Sequence, residues 1–319
     1  MKQLTAGYAE PISVRMIGNL EVRRGDTVMT SATLGSPKVR QVFGILLLRL
    51  GARVSKSELI ELLWDGRPPL KAQATLESYV SVLRRSLQPG VAKTGPLRTA
   101  TGSYLLDPDL VEVDLVRFND LVGQSEGVAP QEAYPLLVDA LKLGSAPLLG
   151  EELDSAWAEE ARAQHSSMVT SVQIRAAETA EQLGRTQEAI DWAGQAVTSA
   201  PLNDRAWCTQ VLALESAGRY VEALQSYDKC RRVLDRELGC APAPDLRAAH
   251  LRLLQKTAQD DDELYDVLDA LFYLNDRLRG QSRHPGIHAP GKRPQASVSR
   301  TTTARRVIHS FLNKALTVA

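Results

Sequence analysis

The chain has 319 residues, 44% of them hydrophobic, enough for two globular domains. Its net charge of zero hides segregation: residues 1–110 carry 15 Lys/Arg against 9 Asp/Glu, residues 111–280 carry 16 against 29, and residues 281–319 carry 7 against none. Basic ends attract phosphates, whereas an acidic middle is better placed to meet protein. Met1 to Thr5 shows no signal-peptide pattern, and the apolar run Ile45 to Leu48 is far too short for a bilayer. No membrane partner is expected, and a cytoplasmic, nucleoid-associated location is.

In chain order, Ile12 to Val22 alternates well enough for a strand pair. Pro37 to Leu50 predicts a helix with Val39, Val42, Phe43, Leu46, Leu47 and Leu50 on a broad inner face. Ser55, three residues before Glu58, has the spacing of a capping box and opens a second helix running to Trp64, with Leu59, Leu62, Leu63 and Trp64 on one side. Asp65 to Lys71 is polar and broken by Pro68 and Pro69, so the next helix must cross the last. This is a helix-turn-helix pattern with a long turn.

Thr75 to Leu87 is the most telling stretch, because its two faces suit different tasks. Leu76, Val80, Leu83 and Leu87 form an apolar stripe edged by Tyr79. Opposite lie Ala74, Ser78, Ser81 and Arg85, with Val82 and Arg84 at the margins: small and basic residues that can enter a groove closely. An ordinary surface helix and a DNA-recognition helix both fit that pattern. Leu97 to Leu106 then reads as a hairpin turning at Thr101 and Gly102, which completes the outline of a winged helix.

The second half is helical and repetitive. Leu183 to Ile190 and Ala217 to Leu224 are one phrase written twice, with Gly184 and Gly218 34 residues apart, the tetratricopeptide period. The glycines fit tight turns between paired helices, and Ala189, Ala196 and Ala223 are small enough for close helix approach. Trp207 stands where the second repeat expects an aromatic, and Pro201 where the first should end. Gly127 to Ala133 with Ala140 looks like a degenerate earlier unit, and Ala158 to Ala180 like a further helix. The expected fold is mainly α: an N-terminal winged helix-turn-helix of α+β type over residues 11–110, then an all-α tetratricopeptide-like domain over 111–258. An acidic amphipathic helix over 259–280 and a basic, largely disordered tail with a possible short helix over 281–319 are expected to follow.

At this point a family emerges. Residues 11–110 resemble the winged-helix effector domain of two-component response regulators. Residues 11 to about 258 resemble the antibiotic-regulatory activators of actinobacteria, the Streptomyces antibiotic regulatory protein family. Further phrases of that family stand here as Gly35 to Lys38, Ala146 to Leu149, Pro201 to Trp207 and Arg236 to Leu246. The resemblance implies a winged helix followed by a bacterial transcriptional activation domain. It also implies an activator of a secondary-metabolite gene cluster that binds promoter direct repeats, pairs as a homodimer at least on DNA, and recruits RNA polymerase holoenzyme.

On that reading Ala74, Thr75, Ser78, Ser81, Val82, Arg84 and Arg85 enter the major groove of double-stranded DNA, with Arg85 and Arg84 reaching base or phosphate and Val82 touching a thymine methyl. A solvent-facing or internally paired side chain is the alternative for Arg84. Lys38, Arg40, Lys56 and Lys71 would contact phosphates, and Thr99, Thr101 and Tyr104 belong to the wing. Two positions depart from the family: related activators tend to carry arginine at Val82, and response-regulator wings commonly carry it at Ala100, with Gly102 to Tyr104 replacing the usual Pro-Gly-Tyr. Each missing cation removes a counterion-release contribution, so one copy should bind weakly and two copies should compensate.

No enzyme, cofactor or metal motif emerges. His165, His250, His284, His288 and His309 lack ligand spacing, Asp260 to Glu263 suits a helix N-terminus, and Cys208, Cys230 and Cys240 show no C-x-x-C. There is no receiver domain, so aspartyl phosphorylation of this chain is not expected. The competing readings are a tetratricopeptide-type interaction scaffold, with the winged helix as docking module, and a regulator that binds a small molecule or peptide on its helical concave face.

Overall fold

The computed structural model describes residues 11–90, 95–152 and 155–258. The expectations for residues 259–319 lie outside the described residues. The chain opens with β1 (Ile12–Arg15), β2 (Glu21–Arg24) and β3 (Thr27–Thr30), consecutive antiparallel strands with Ser13 opposite Arg23 and Val22 opposite Met29. A short helix α1 (Ser31–Leu34) precedes α2 (Pro37–Leu48), α3 (Lys56–Trp64) and α4 (Ala72–Leu87), which pack on one another. Pro37 suits the first turn of α2, where its missing N–H has no partner to lose.

Ser55 caps α3 as predicted, its Oγ accepting from Glu58 N at 3.1 Å. The reciprocal half of the box is replaced, because the Glu58 carboxylate pairs with Arg49. The wing is a three-stranded sheet in the order β4 (Val54–Ser55), β6 (Ser103–Leu106), β5 (Leu97–Ala100), with Val54 opposite Tyr104 and Leu97 opposite Leu106.

β3, β4 and the strand that follows the wing were not foreseen. β7 (Val111–Val113) runs parallel to β1, with Ile12 opposite Val111, and extends the first sheet to four strands. Directly after it, Asp114 accepts from the backbone N–H of Met16 at 2.9 Å and of Ile17 at 3.0 Å. Helices α5 (Asp114–Gln124), α6 (Pro130–Gly144), α7 (Ala156–Gln182) and α8 (Thr186–Ser199) follow.

One apolar cluster runs from Ile12 through Phe43, Leu83 and Phe118 to Ala176, so the core crosses the expected boundary near residue 110 without a break. Gln41 reinforces the crossing by donating to Glu152 at 2.6 Å and to Ser155 at 2.9 Å.

By its contacts the chain divides into two compact units, meeting in sequence between Ala200 and Pro201. The second holds α9 (Asp204–Ser216), α10 (Tyr220–Leu238) and α11 (Pro244–Ala258). Asn203 caps α9 by accepting from Arg205 N and Ala206 N, and Trp207 Nε1 donates to Pro201 O at 2.8 Å. Glu215 on α9 holds Arg252 at 3.0 Å and Lys256 at 2.9 Å on α11. Burial pushes the Glu215 carboxyl up, but these two cations outweigh it and hold the group below its usual range.

The repeated phrase produces repeated geometry. Gly184 and Gly218 both have φ +71°, the left-handed conformation in which glycine escapes the Cβ penalty. The following arginines close the same bond, Arg185 N to Ala180 O at 2.8 Å and Arg219 N to Leu214 O at 2.9 Å. Ala189, Ala196 and Ala223 are all fully buried.

Candidate nucleic-acid interface

Helix α4 is partitioned as its sequence requires. Leu76, Val80, Leu83 and Leu87 are at most 1% exposed, each contributing about 1.5–3 kcal/mol of apolar burial. With that stripe in the core, Ala74, Ser78, Ser81 and Arg85 are turned to solvent on the opposite face. Lys71 at the N-cap is also exposed, and Thr75 Oγ1 donates to its carbonyl at 3.0 Å. Among the described residues the side chains of Lys71 and Arg85 have no ion-pair partner. At the wing, Thr99 and Thr101 are exposed.

Other expected contacts are placed differently. Val82 is half-buried: a Cβ built on Gly35 would stand 3.3 Å from its Cγ1, so part of the side chain meets the turn before α2. Tyr104 is 3% exposed and lies beneath Lys56, whose Nζ is 5.6 Å from the ring centroid. Lys38 donates to Leu63 O, tying α2 to α3, and Arg40 donates to Gly35 O at 2.9 Å and Ser31 O at 3.2 Å. Both cations thus satisfy backbone carbonyls of the protein itself.

Lys56 is shared with Glu77 at 2.7 Å; its hydrogen bond holds the Glu77 carboxyl below the usual range, helped by Gln73. Arg84 realises the internally paired alternative. Its Nη2 donates to Thr99 Oγ1, joining α4 to the wing, while its Nε is buried without a partner.

Two supports escaped the sequence reading. Arg24 on β2 donates to Ser86 O at 3.0 Å and Leu87 O at 3.4 Å, neutralising the last carbonyls of α4. Gln88, 5% exposed, accepts from Leu97 N at 2.9 Å and so fixes the start of β5 against the end of α4. The Arg24 contact has no local signature, because its partners lie more than 60 residues away.

Among the described residues, no group of three or more His, Cys, Asp or Glu is placed to hold a metal ion, and no helix is long and apolar enough to cross a membrane. The fold and its exposed helix define a winged-helix protein with a helical-repeat body, the architecture of a transcriptional regulator.

Comparison with known proteins agrees. The family model described as Bacterial transcriptional activator domain matches residues 113–254. The chain is 28% identical over 248 residues to the regulatory protein DnrI of Streptomyces peucetius, covering 74% of this chain and 89% of that one. It is 32% identical over 239 residues to the regulatory protein AfsR of Streptomyces coelicolor, covering 73% of this chain but 23% of that longer protein. The solved structure of Mycobacterium tuberculosis EmbR in complex with a low affinity phosphopeptide superposes with a TM-score of 0.68 at 25% identity, over 84% of this chain and 72% of that one. Residues 113–254 thus match a bacterial transcriptional activator domain, and most of the chain is similar to transcriptional regulators of the Streptomyces antibiotic regulatory protein type.

Proposed function

We propose that this chain is a sequence-specific DNA-binding activator of a secondary-metabolite, antibiotic-type gene cluster. It binds promoter direct repeats as a homodimer and recruits RNA polymerase. Residues 11–110 bind DNA and residues 111–258 act in activation. The observation that carries the reading is the exposed face of Ala74, Ser78, Ser81 and Arg85 on a helix whose reverse is wholly buried. A major groove admits such a helix, and small residues at Ala74, Ser78 and Ser81 let its backbone come close. Arg85 then reaches a base edge, the serine hydroxyls take part in hydrogen bonds, and Lys71 with Thr99 and Thr101 meets the flanking phosphates.

Val82 and Ala100 supply no charge, so a single copy makes few phosphate contacts and gains specificity by pairing on repeated half-sites. Leu70, one residue before the N-cap of α4, is the most exposed large apolar side chain among the described residues and offers polymerase a contact beside the operator.

Footprinting on promoters of the gene neighbourhood should reveal protected repeats, and run-off transcription with purified polymerase should rise on adding the protein. Leu70→Ala should preserve the footprint and reduce the transcript. Absence of any protected repeat with the folded protein would remove the DNA-binding reading.

A further inference from the structure

Helix α4 carries a single acid, Glu77, and folding has fixed one of its two oxygens. Glu77 follows Ala74 by three residues and precedes Ser81 by four, the spacing that sets side chains beside one another on a helix, and all three are exposed, as are Gln73 and Ser78. Its Oε1 accepts from Lys56 Nζ at 2.7 Å and from Gln73 Nε2 at 3.2 Å. Among the described residues Oε2 accepts from no donor. The Glu77 side chain keeps 46% of its surface open to solvent, so this contact leaves it accessible to a ligand on the exposed face. Its place along the helix matters too. A helix of a helix-turn-helix meets base edges with its N-terminal residues, and Glu77 lies in the first half of α4, whereas Arg85 stands in the last turn.

The chemistry of the free oxygen follows from its neighbours. Hydrogen bonding from Lys56, and then from Gln73, holds the Glu77 carboxyl below its usual range, so it is ionised and can only accept. The Lys56 ammonium also offsets the repulsion between this carboxylate and nearby phosphates. An acceptor facing base edges in the major groove needs a donor there, and the groove offers two, the amino groups of cytosine N4 and adenine N6. Adenine sets its amino group beside the N7 acceptor, which repels a carboxylate, whereas cytosine presents N4 alone. Guanine O6 and N7 and thymine O4 are acceptors and repel it outright.

Two donors on one oxygen also hold the side chain in place, which spares part of the cost of ordering it on binding. Given the groove-entering role proposed for α4, we propose that Glu77 is a specificity-determining residue of the DNA interface. Its Oε2 accepts from the N4 amino group of a cytosine while Lys56 and Gln73 hold Oε1, and guanine or thymine at that position is rejected by its own acceptors.

The test uses the full chain and a randomised duplex DNA library. Selection with the unaltered protein should enrich a motif containing a cytosine that Glu77→Ala no longer selects, while the other positions keep their bases. On the enriched duplex Glu77→Ala should bind about tenfold more weakly, and on unrelated DNA at least as tightly, because a negative charge near the phosphates is gone. Glu77→Gln, which keeps an acceptor for Lys56 and so separates loss of charge from loss of fold, should move the preference at that position from cytosine towards adenine. Pyrimidin-2-one in place of that cytosine lacks only the amino group and should bring the unaltered protein to the affinity of Glu77→Ala. No enriched motif with the unaltered protein would remove the DNA-reading role of α4 and of Glu77 together. A motif that Glu77→Ala selects unchanged, or a tenfold gap between the two proteins that persists on the pyrimidin-2-one duplex, would overturn the assignment of Glu77 alone and leave it as a surface ion pair between α3 and α4.

Discussion

The indole of Trp157, at the start of α7, lies against Gly44 in the middle of α2, so that a Cβ on Gly44 would stand 3.0 Å from Trp157 Cη2. A helix from the winged half and a helix from the repeat half therefore share one packing contact, and its tolerance can be measured. Gly44→Ala should be nearly neutral, because a gain of up to about 1 kcal/mol in helix propensity offsets a tight contact. Gly44→Leu should destabilise by about 1–3 kcal/mol through overpacking. Urea denaturation checks both; an undisturbed Leu variant would mean that the indole does not sit there.

The cations at the candidate interface divide into free and engaged ones, and salt titration of DNA binding should sort them. Lys71→Ala should weaken binding to all sequences and lower the salt slope by about one, as loss of a phosphate contact requires. Arg85→Ala should weaken operator binding by about 1–3 kcal/mol and relax specificity if its guanidinium reads a base. Lys38→Ala and Arg40→Ala should leave the slope unaltered and lower the melting temperature, because their partners are the carbonyls of Leu63, Gly35 and Ser31.

Burial lowers the pKa of His165 and, with help from Arg231, that of His250. His250 also stacks on Tyr227 with centroids 3.9 Å apart. Both imidazoles are held neutral in the fold and take up protons more readily when unfolded. Their contribution is therefore fully present above the ordinary value of 6.5 and is lost progressively as pH falls below it. Denaturation midpoints should drop between pH 6.5 and more acidic conditions, and His165→Gln with His250→Gln should flatten that decline.

Two of the thiols, Cys230 and Cys240, should differ in reactivity. Burial pushes the Cys230 thiol up to about 12, whereas Cys240 is exposed just after α10. Iodoacetamide at mildly alkaline pH should label Cys240 in the native protein and reach Cys230 only on unfolding. Rapid native labelling of Cys230 would show that α10 opens readily.

Much of this was legible because local rules decide it. The apolar spacing of Leu76, Val80, Leu83 and Leu87 dictated which face of α4 must be buried, and with it that Ala74, Ser78, Ser81 and Arg85 face solvent. Ser55 announced its helix, and Gly184 and Gly218 announced two turns of identical φ. By contrast β7 has three residues and β4 has two, too short for any period to register. Tyr104 was assigned outward for the same reason: its burial depends on pairing with Val54 in that two-residue strand.

Sequence alone, then, determined the buried faces of α2 and α4, the cap of α3, the repeat period and the family resemblance, because capping, periodicity and turn chemistry act within a few residues. Tertiary structure decided which charges remain available. A lysine or arginine is committed by whichever carbonyl or carboxylate folding brings within reach, as with Lys38 and Leu63, Arg24 and Ser86, or Lys56 and Glu77. It also decided that the two halves share a core, since the bond from Asp114 to Met16 spans 98 residues and has no trace in local pattern.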